Sequence, residues 1–325
     1  MLMGPLICKE DYHMNAKSKQ LKRKKAVFNP LMIWLGIAPG LLIFIFFRLV
    51  PSIGTVIFSL TDIRQTPGNA VHFVGLENYM DILTLNMRDF SNALIRTGIF
   101  TGLVTIVQTA LALFIAVILN MKSIKGKTFY RTVVFLPVIL GVTVCGLAFK
   151  LFFSVDGPAA WFLHLFGQSS TFFGDRNVAL YLVIFCQIWF NVGSEMIIFL
   201  AGLQNVSPEL IEAARIDGAS EWKIFWNVSI PQIVSVVAVN LMMCLIGSLS
   251  AYQIILVTTK GNEWTKTLSM MIFGIAFNVG DAGKSNAGRQ GYASALQVVL
   301  FLLILVVTLI TQKIQNKVEE KEGIR

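Results

Sequence analysis

Charged side chains are scarce in this sequence. Only 14% of the 325 residues are Asp, Glu, Lys or Arg, whereas 55% are hydrophobic, and the mean hydropathy is +0.69. Soluble domains carry about 25% charged residues, so a soluble chain of this composition could not cover its surface with polar groups. The composition therefore excludes an ordinary soluble protein and indicates that lipid surrounds much of the chain.

Residues that commonly carry catalysis or bind metals are also sparse. The three histidines lie in tails or loops, and no HExxH, GxSxG or GxxxxGK[ST] sequence occurs. Cys145, Cys186 and Cys244 lie in apolar runs, Cys8 lies in the polar N-terminal tail, and none forms a CxxC pair. This pattern predicts no disulfide framework, no metal site and no cofactor in the chain, and it argues against a membrane-embedded enzyme.

Long apolar runs are what the sequence does have. A helix needs about 20 apolar residues to cross about 30 Å of hydrocarbon. Six runs meet that requirement, namely residues 31–59, 93–119, 132–153, 178–203, 233–257 and 293–314. Because lipid offers no partners to backbone polar groups, the runs predict an all-α integral membrane protein with six transmembrane helices.

The placement of positive charge predicts how these helices are oriented. Most of the 27 lysines and arginines fall in residues 1–30, 120–131, 204–230 and 315–325, whereas residues 60–92 carry more acids than bases. Positive charge accumulates on the cytoplasmic side, so both termini are expected there. This bias accounts for the net charge of +9 without a nucleic-acid partner. The basic tail before a long apolar run also predicts a retained anchor rather than a cleaved signal.

Residues 207–231, between the fourth and fifth predicted spans, favour two short helices. Ser207 is a suitable N-cap and Pro208 suits the first helical position. Gly218 can adopt a positive φ and end that helix. Ser220 can cap a second helix, and Pro231 then starts the fifth span.

Both short helices are expected to expose an apolar face. The faces are formed by Leu210, Ala213 and Ala214 in the first helix and by Trp222, Phe225 and Trp226 in the second. Such faces either dock into a protein partner or lie on lipid headgroups. Acidic residues outnumber basic ones in the loop, which favours a protein groove over an anionic membrane surface.

The same loop carries a family resemblance. Glu212-Ala213-Ala214, Asp217-Gly218-Ala219 and Ile230-Pro231 resemble, at the right spacing, the EAA loop of binding-protein-dependent ABC importer permeases. The resemblance extends over most of residues 73–314 and is closest to the carbohydrate-uptake branch of maltose, lactose and multiple-sugar permeases. Further matching segments are residues 73–79, 129–131 with 136–137, 199–204 and 291–295.

The resemblance implies a type I importer in the bacterial inner membrane. It implies a second homologous permease as a heterodimeric partner, two separate ATPase subunits that bind ATP and Mg²⁺, and an external solute-binding protein that delivers a sugar. Residues 93–314 would form the permease core, after the basic tail 1–30 and the first helix with its outer loop, 31–92, and before the tail 315–325. The residues implied in ATPase coupling are Glu212, Ala213, Ala214, Asp217, Gly218, Ala219 and Pro231.

Polar residues inside the spans mark candidates for the solute path, because they are costly in lipid unless they face a cavity or one another. The set includes Gln108, Asn240, Ser248 and Ser250. The residues best suited to a sugar, with amide, hydroxyl, carboxylate and aromatic groups, are Trp189, Asn191, Ser194, Glu195, Tyr252 and Gln253. Hydrogen bonding between helices remains the alternative for each.

Several alternatives stay open at this point. Many sugar permeases have Phe-Asp where Tyr252-Gln253 stand here, so the substrate could also be glycerol phosphate, a polyol or a sialic-acid-like sugar. A stand-alone secondary transporter or channel would explain the spans and Glu195, but not the loop 207–231.

Overall fold

The computed structural model of the chain describes residues 30–65, 70–121, 124–280, 286 and 288–321. Within these ranges the secondary structure is helical, apart from one isolated antiparallel bridge between Thr61 and Phe73. The predicted N-terminal tail, except Pro30, and the last four residues of the C-terminal tail lie outside the described residues. The α-helices are α1 Pro30–Phe44, α2 Val50–Phe58, α3 Glu77–Leu83, α4 Met87–Asn120, α5 Lys127–Leu140, α6 Val142–Phe152, α7 Pro158–His164, α8 Ala179–Gln204, α9 Pro208–Ile216, α10 Glu221–Ile224, α11 Ile230–Leu249, α12 Gln253–Thr259, α13 Leu268–Phe277 and α14 Gln290–Lys321.

Two π-helical turns join consecutive helices into longer spans. Ile45–Leu49 links α1 to α2, and Phe225–Ser229 links α10 to α11. Each turn ends two residues before a proline, Pro51 or Pro231. Proline lacks a backbone N–H and its ring crowds the carbonyl four residues earlier, so a widened turn relieves the clash without ending the helix.

The apolar helices agree with the predicted membrane architecture. Candidate spans are Trp34–Phe58, Met87–Asn120, Ala179–Gln204, Glu221–Leu249 and Gln290–Lys317, and a bent pair, Lys127–Leu140 with Val142–Phe152, supplies a sixth. The chain divides into two compact units between residues 55 and 56, so most of Trp34–Phe58 belongs to the first unit and the other candidate spans belong to the second. The chain is therefore a multi-pass membrane protein.

The third predicted span, residues 132–153, is present as a bent pair of helices and not as one straight helix. Helices α5 and α6 meet at an angle of 96° around Gly141, whose φ is 81° and ψ is 153°. This backbone conformation is strained for residues with a side chain and interrupts both helices. Apolar character continues through the bend, which is why hydropathy alone does not reveal it.

The predicted fifth span, residues 233–257, was wrong at its C-terminal end. Helix α11 ends at Leu249, and a new helix, α12, begins at Gln253. Residues 250–252 therefore lie outside both helices. A further apolar helix, α13, comes after α12 and is not among the predicted spans, because its 10 residues are too few to cross a membrane.

Helices α4 and α8 form the centre of the second unit. Ala112 and Ala116 on α4 are fully buried in a cluster with Met196 and Phe199 of α8. Small residues permit this close approach of two helices in a membrane protein. Gly193 of α8 plays the same role toward α5, because a Cβ there would collide with the Val134 carbonyl.

The segment 73–79 has a structural role at the start of the second unit. The Asn78 amide donates hydrogen bonds to the carbonyls of Ser59 and Thr61, each at 2.9 Å. The Tyr79 hydroxyl lies 2.8 Å from the Ser59 hydroxyl. Asn78 and Tyr79 thus hold the start of α3 against the residues that directly follow α2.

Candidate functional site

A cavity of about 450 Å³ lies among helices α4, α8, α11 and the break before α12. Its polar lining residues carry amide, hydroxyl or carboxylate groups. They are Gln108, Gln187, Asn191, Ser194, Glu195, Asn240, Ser248, Ser250, Tyr252 and Gln253. Because intramembrane cavities tolerate polar groups that lipid does not, this concentration marks the cavity as the candidate solute site.

Glu195 lies on the wall of the cavity with only 6% of its surface exposed. Its Oε1 accepts a hydrogen bond of 2.5 Å from Nε2 of Gln108, and its Oε2 accepts one of 3.4 Å from the Thr109 hydroxyl. Both donors come from α4, so the carboxylate also ties α8 to α4. Glu195 thus combines the two roles weighed from the sequence, a cavity group and an interhelical partner.

Four other residues predicted for the solute path also line the cavity. Asn191 lies one turn before Glu195 on α8, and the Ser194 hydroxyl donates to the Asn191 carbonyl at 2.7 Å. Tyr252 and Gln253 reach the cavity because α11 ends before them. The Tyr252 ring stacks on Phe273 of α13, with centroids 4.6 Å apart, which holds the phenol in place.

Trp189 does not line the cavity, unlike the other five residues predicted for the solute path. Its ring packs edge-on against Phe149, with centroids 5.1 Å apart, and 42% of its surface is exposed outside the cavity lining. Gln187, absent from the best-suited set, takes a place in the lining instead. Its position one turn before Asn191 on the same helix was the signal that could have revealed it.

The loop 207–231 forms the second candidate site, and its first helix ends in a Schellman motif. Gly218 has φ of 76°. The Gly218 N–H donates to the Arg215 carbonyl at 3.1 Å, and the Ala219 N–H donates to the Ala214 carbonyl at 3.0 Å. These are the two bonds that define the motif. The recognised pattern therefore encodes a helix with a fixed end, as predicted from Gly218.

The start of each helix in the loop differs from its prediction in detail. Ser207 occupies the N-cap of α9 but its side chain makes no capping bond, whereas the Ser220 hydroxyl accepts from the Lys223 N–H at 3.4 Å. The second helix does not stop before Pro231 but continues through the π turn into the span Glu221–Leu249. The loop therefore contains one separate helix, α9. The residues after α9 belong to the span Glu221–Leu249, whose first residues are predicted to lie on the cytoplasmic side.

The exposed side of α9 carries most of the predicted coupling residues. Glu212, Ala213, Asp217 and Gly218 are exposed, and Ala214, Ala219 and Pro231 are half-buried. Ile211 packs on the opposite side against the α4–α8 cluster, so the helix is anchored. Apolar surface remains free beside the coupling residues, with Ile216 87% exposed and Trp222 69% exposed.

An ion pair braces α9 against the helix that follows. Arg215 and Glu221 lie 2.8 Å apart, and Nε of Arg215 also donates to the same carboxylate at 2.9 Å. Both side chains are exposed, so the pair adds little stability.

Comparison with known proteins identifies the class. Residues 108–320 match the family described as binding-protein-dependent transport system inner membrane component. The match includes the cavity residues and the loop 207–231. The chain belongs to this family, and it is therefore a permease subunit of a transport system rather than an enzyme.

Particular relatives cover nearly the whole chain. The multiple sugar-binding transport system permease protein MsmF of Streptococcus mutans is 31% identical, over 91% of this chain and 99% of its own length. The arabinooligosaccharides transport system permease protein AraP of Bacillus subtilis is also 31% identical, over 87% and 88%. A solved bacterial alginate ABC transporter, in complex with an alginate pentasaccharide-bound periplasmic protein, has a subunit of the same fold. Its TM-score is 0.76 at 19% identity, with 92% of this chain and 97% of that one covered. The family resemblance and the all-helical importer fold predicted from sequence are confirmed.

Proposed function

We propose that this chain is one of two permease subunits in a bacterial ATP-driven importer of sugars, most suitably oligosaccharides. The observation that carries the proposal is the cavity lined by amides, hydroxyls and one carboxylate within an otherwise apolar helix bundle. Sugars present many hydroxyls that both donate and accept hydrogen bonds, which such a lining can satisfy. The names of MsmF and AraP support the same substrate class.

The sugar is proposed to pass through the cavity by contact with Asn191, Ser194, Glu195, Tyr252 and Gln253. The Tyr252 ring supplies a flat apolar face, and the other four supply polar partners. Trp189 has no place in this path within the chain. A volume of about 450 Å³ accommodates a small saccharide, and a homologous second permease would complete the enclosure.

Helix α9 is proposed to receive the force of ATP hydrolysis. Its exposed residues, Glu212, Ala213, Asp217 and Gly218, would seat in a groove of a separate ATPase, with Ala214, Ala219 and Pro231 behind them. The Schellman motif, the Arg215–Glu221 pair and the unbroken span Glu221–Leu249 make a stiff connection from that groove to the cavity wall at Asn240. A stiff connection is required, because shifting a two-state equilibrium from 1:99 to 99:1 takes about 5.5 kcal/mol.

The remaining assembly follows from this scheme. Two ATPase subunits would bind ATP and Mg²⁺, this chain would hold no cofactor, and a periplasmic or extracellular solute-binding protein would deliver the sugar. The basic segment 120–131 and the loop 204–230 would face the cytoplasm together with both termini.

Reconstitution tests the proposal. The complete importer in proteoliposomes, supplied with its solute-binding protein and internal ATP, should accumulate at least one labelled oligosaccharide from a panel. Uptake should require both the binding protein and ATP. Uptake that continues without an ATPase subunit would overturn the proposal in favour of a secondary transporter.

A further inference from the structure

Glu195 is the one acidic or basic side chain among the described residues that line the cavity. The lining residues, all within the described part of the chain, include the carboxylate Glu195 and no lysine or arginine. Two like charges repel strongly where water is largely excluded, whereas a neutral polar group can approach a carboxylate and donate to it. The electrostatics of the cavity therefore distinguish solutes by charge.

The Gln108 amide fixes the orientation of polar groups around Glu195. Its Nε2 donates to Glu195 at 2.5 Å and to Sγ of Cys244 at 3.5 Å, so both amide hydrogens are engaged by other side chains of the bundle. The reverse orientation of the amide would place two oxygens against each other. The Gln108 Oε1 is thereby left as an acceptor.

We infer that Glu195, oriented by Gln108, is ionised when a solute occupies the cavity and acts as a charge filter, which makes this permease selective for uncharged, hydroxyl-rich solutes and against carboxylated or phosphorylated ones. The inference rests on the proposed function of the cavity and narrows its substrate class. Among the alternatives left open by the sequence, it retains neutral oligosaccharides and polyols. It disfavours glycerol phosphate and sialic-acid-like sugars, both of which are anions.

The expected size of the effect follows from electrostatics. Two unit charges about 6 Å apart at an effective dielectric constant of about 20 repel by an amount equal to about a hundredfold difference in affinity. Partial screening by the second permease and by solvent would reduce this difference in affinity. A difference of at least about tenfold is therefore expected between neutral and anionic ligands of the same size.

Direct binding to the complete importer in nanodiscs, without the solute-binding protein, tests the filter. The probes are maltotriose and the same trisaccharide oxidised at its terminal C6 to a uronate. Wild-type complex should bind maltotriose at least tenfold more tightly than the uronate. Glu195→Gln should remove most of that ratio by strengthening uronate binding, and Glu195→Lys should reverse it.

Ser194→Ala is the matched control, because it removes an uncharged hydroxyl from the same cavity wall and should weaken the binding of both probes alike. It should leave the ratio within about twofold of wild type. An unchanged ratio in Glu195→Gln, or failure of every variant to bind either probe, would overturn the filter. If this test fails while the complex still takes up a sugar with ATP, the filter alone is refuted. If the complex takes up no sugar of the panel, the proposed function is refuted. Co-purification of each variant with the ATPase checks assembly.

Discussion

Replacing Gly218 tests how the end of α9 contributes to coupling. The residue has φ of 76°, and a Cβ added to it would meet nothing within 4 Å. The cost of a side chain is therefore backbone strain alone, about 1–2 kcal/mol for an ordinary residue in this conformation. Asn tolerates the left-handed region better than Ala, and β-branched Val tolerates it least.

Strain of 1–2 kcal/mol changes a two-state ratio by about 5–30-fold. If the Schellman motif holds α9 in its seat, uptake should fall in the order Gly, Asn, Ala, Val, with Gly218→Val reduced by at least about fivefold. Basal ATP hydrolysis should change much less, because the ATPase active site lies in another chain.

The assay is ATP-driven uptake in proteoliposomes at matched levels of assembled complex. Ser220→Gly is a suitable control, since it removes only a weak capping bond of 3.4 Å at the next helix and should have a smaller effect. Wild-type uptake by Gly218→Val would refute the reasoning. Equal loss in the Asn and Val variants would show that side-chain bulk, rather than φ, determines the effect.

Three further predictions concern the scaffold and use the thermal unfolding midpoint of the purified complex. Gly193→Val should lower it by an amount equivalent to at least about 1–3 kcal/mol, because the side chain would meet α5 backbone. Gly98→Ala, with nothing within 4 Å, is its control, and equal effects would contradict the packing argument. Asp81→Asn should destabilise by about 1–3 kcal/mol, since the carboxylate pairs with Arg289 at 2.7 Å and is largely shielded; no change would show that the pair is dispensable. Asn78→Ala should cost about 1–3 kcal/mol for its two lost hydrogen bonds, and an unaltered midpoint would contradict their structural role.

The sequence predicted features that depend on local chemistry. Gly218 ends α9 because only a residue tolerant of positive φ suits the Schellman motif, and that demand is visible from one residue and its neighbours. The long apolar runs likewise predicted helices, because the backbone has no alternative partners in lipid.

Features that depend on tertiary contacts were not predictable in this way. The bend at Gly141 lies within continuous apolar sequence, so hydropathy does not mark it. The end of α11 at Leu249 lies beside the polar residues Ser250, Tyr252 and Gln253, which by themselves are compatible with a cavity-lining helix as well as with a helix end. Trp189 has the chemistry of a sugar-binding residue, but its ring packs against Phe149 instead of entering the cavity. A helix pattern indicates which residues share a face, but it does not indicate which neighbour covers that face.

The coupling through α9 is tested most directly by site-specific cross-linking in native membranes. The variant carries Ala213→Cys, at an exposed position, and Cys8→Ser. The other cysteines, Cys145, Cys186 and Cys244, are buried and should not react. With a thiol-to-amine cross-linking reagent that has a disulfide in its spacer, the account predicts a cross-link from the Ala213→Cys thiol to the ATPase subunit and loss of uptake that reduction of the spacer restores. Leu85→Cys, 80% exposed in a segment expected on the outer side, should form no such cross-link. Full uptake with an Ala213→Cys thiol that reacts only with water-soluble reagents or lipid would contradict the account.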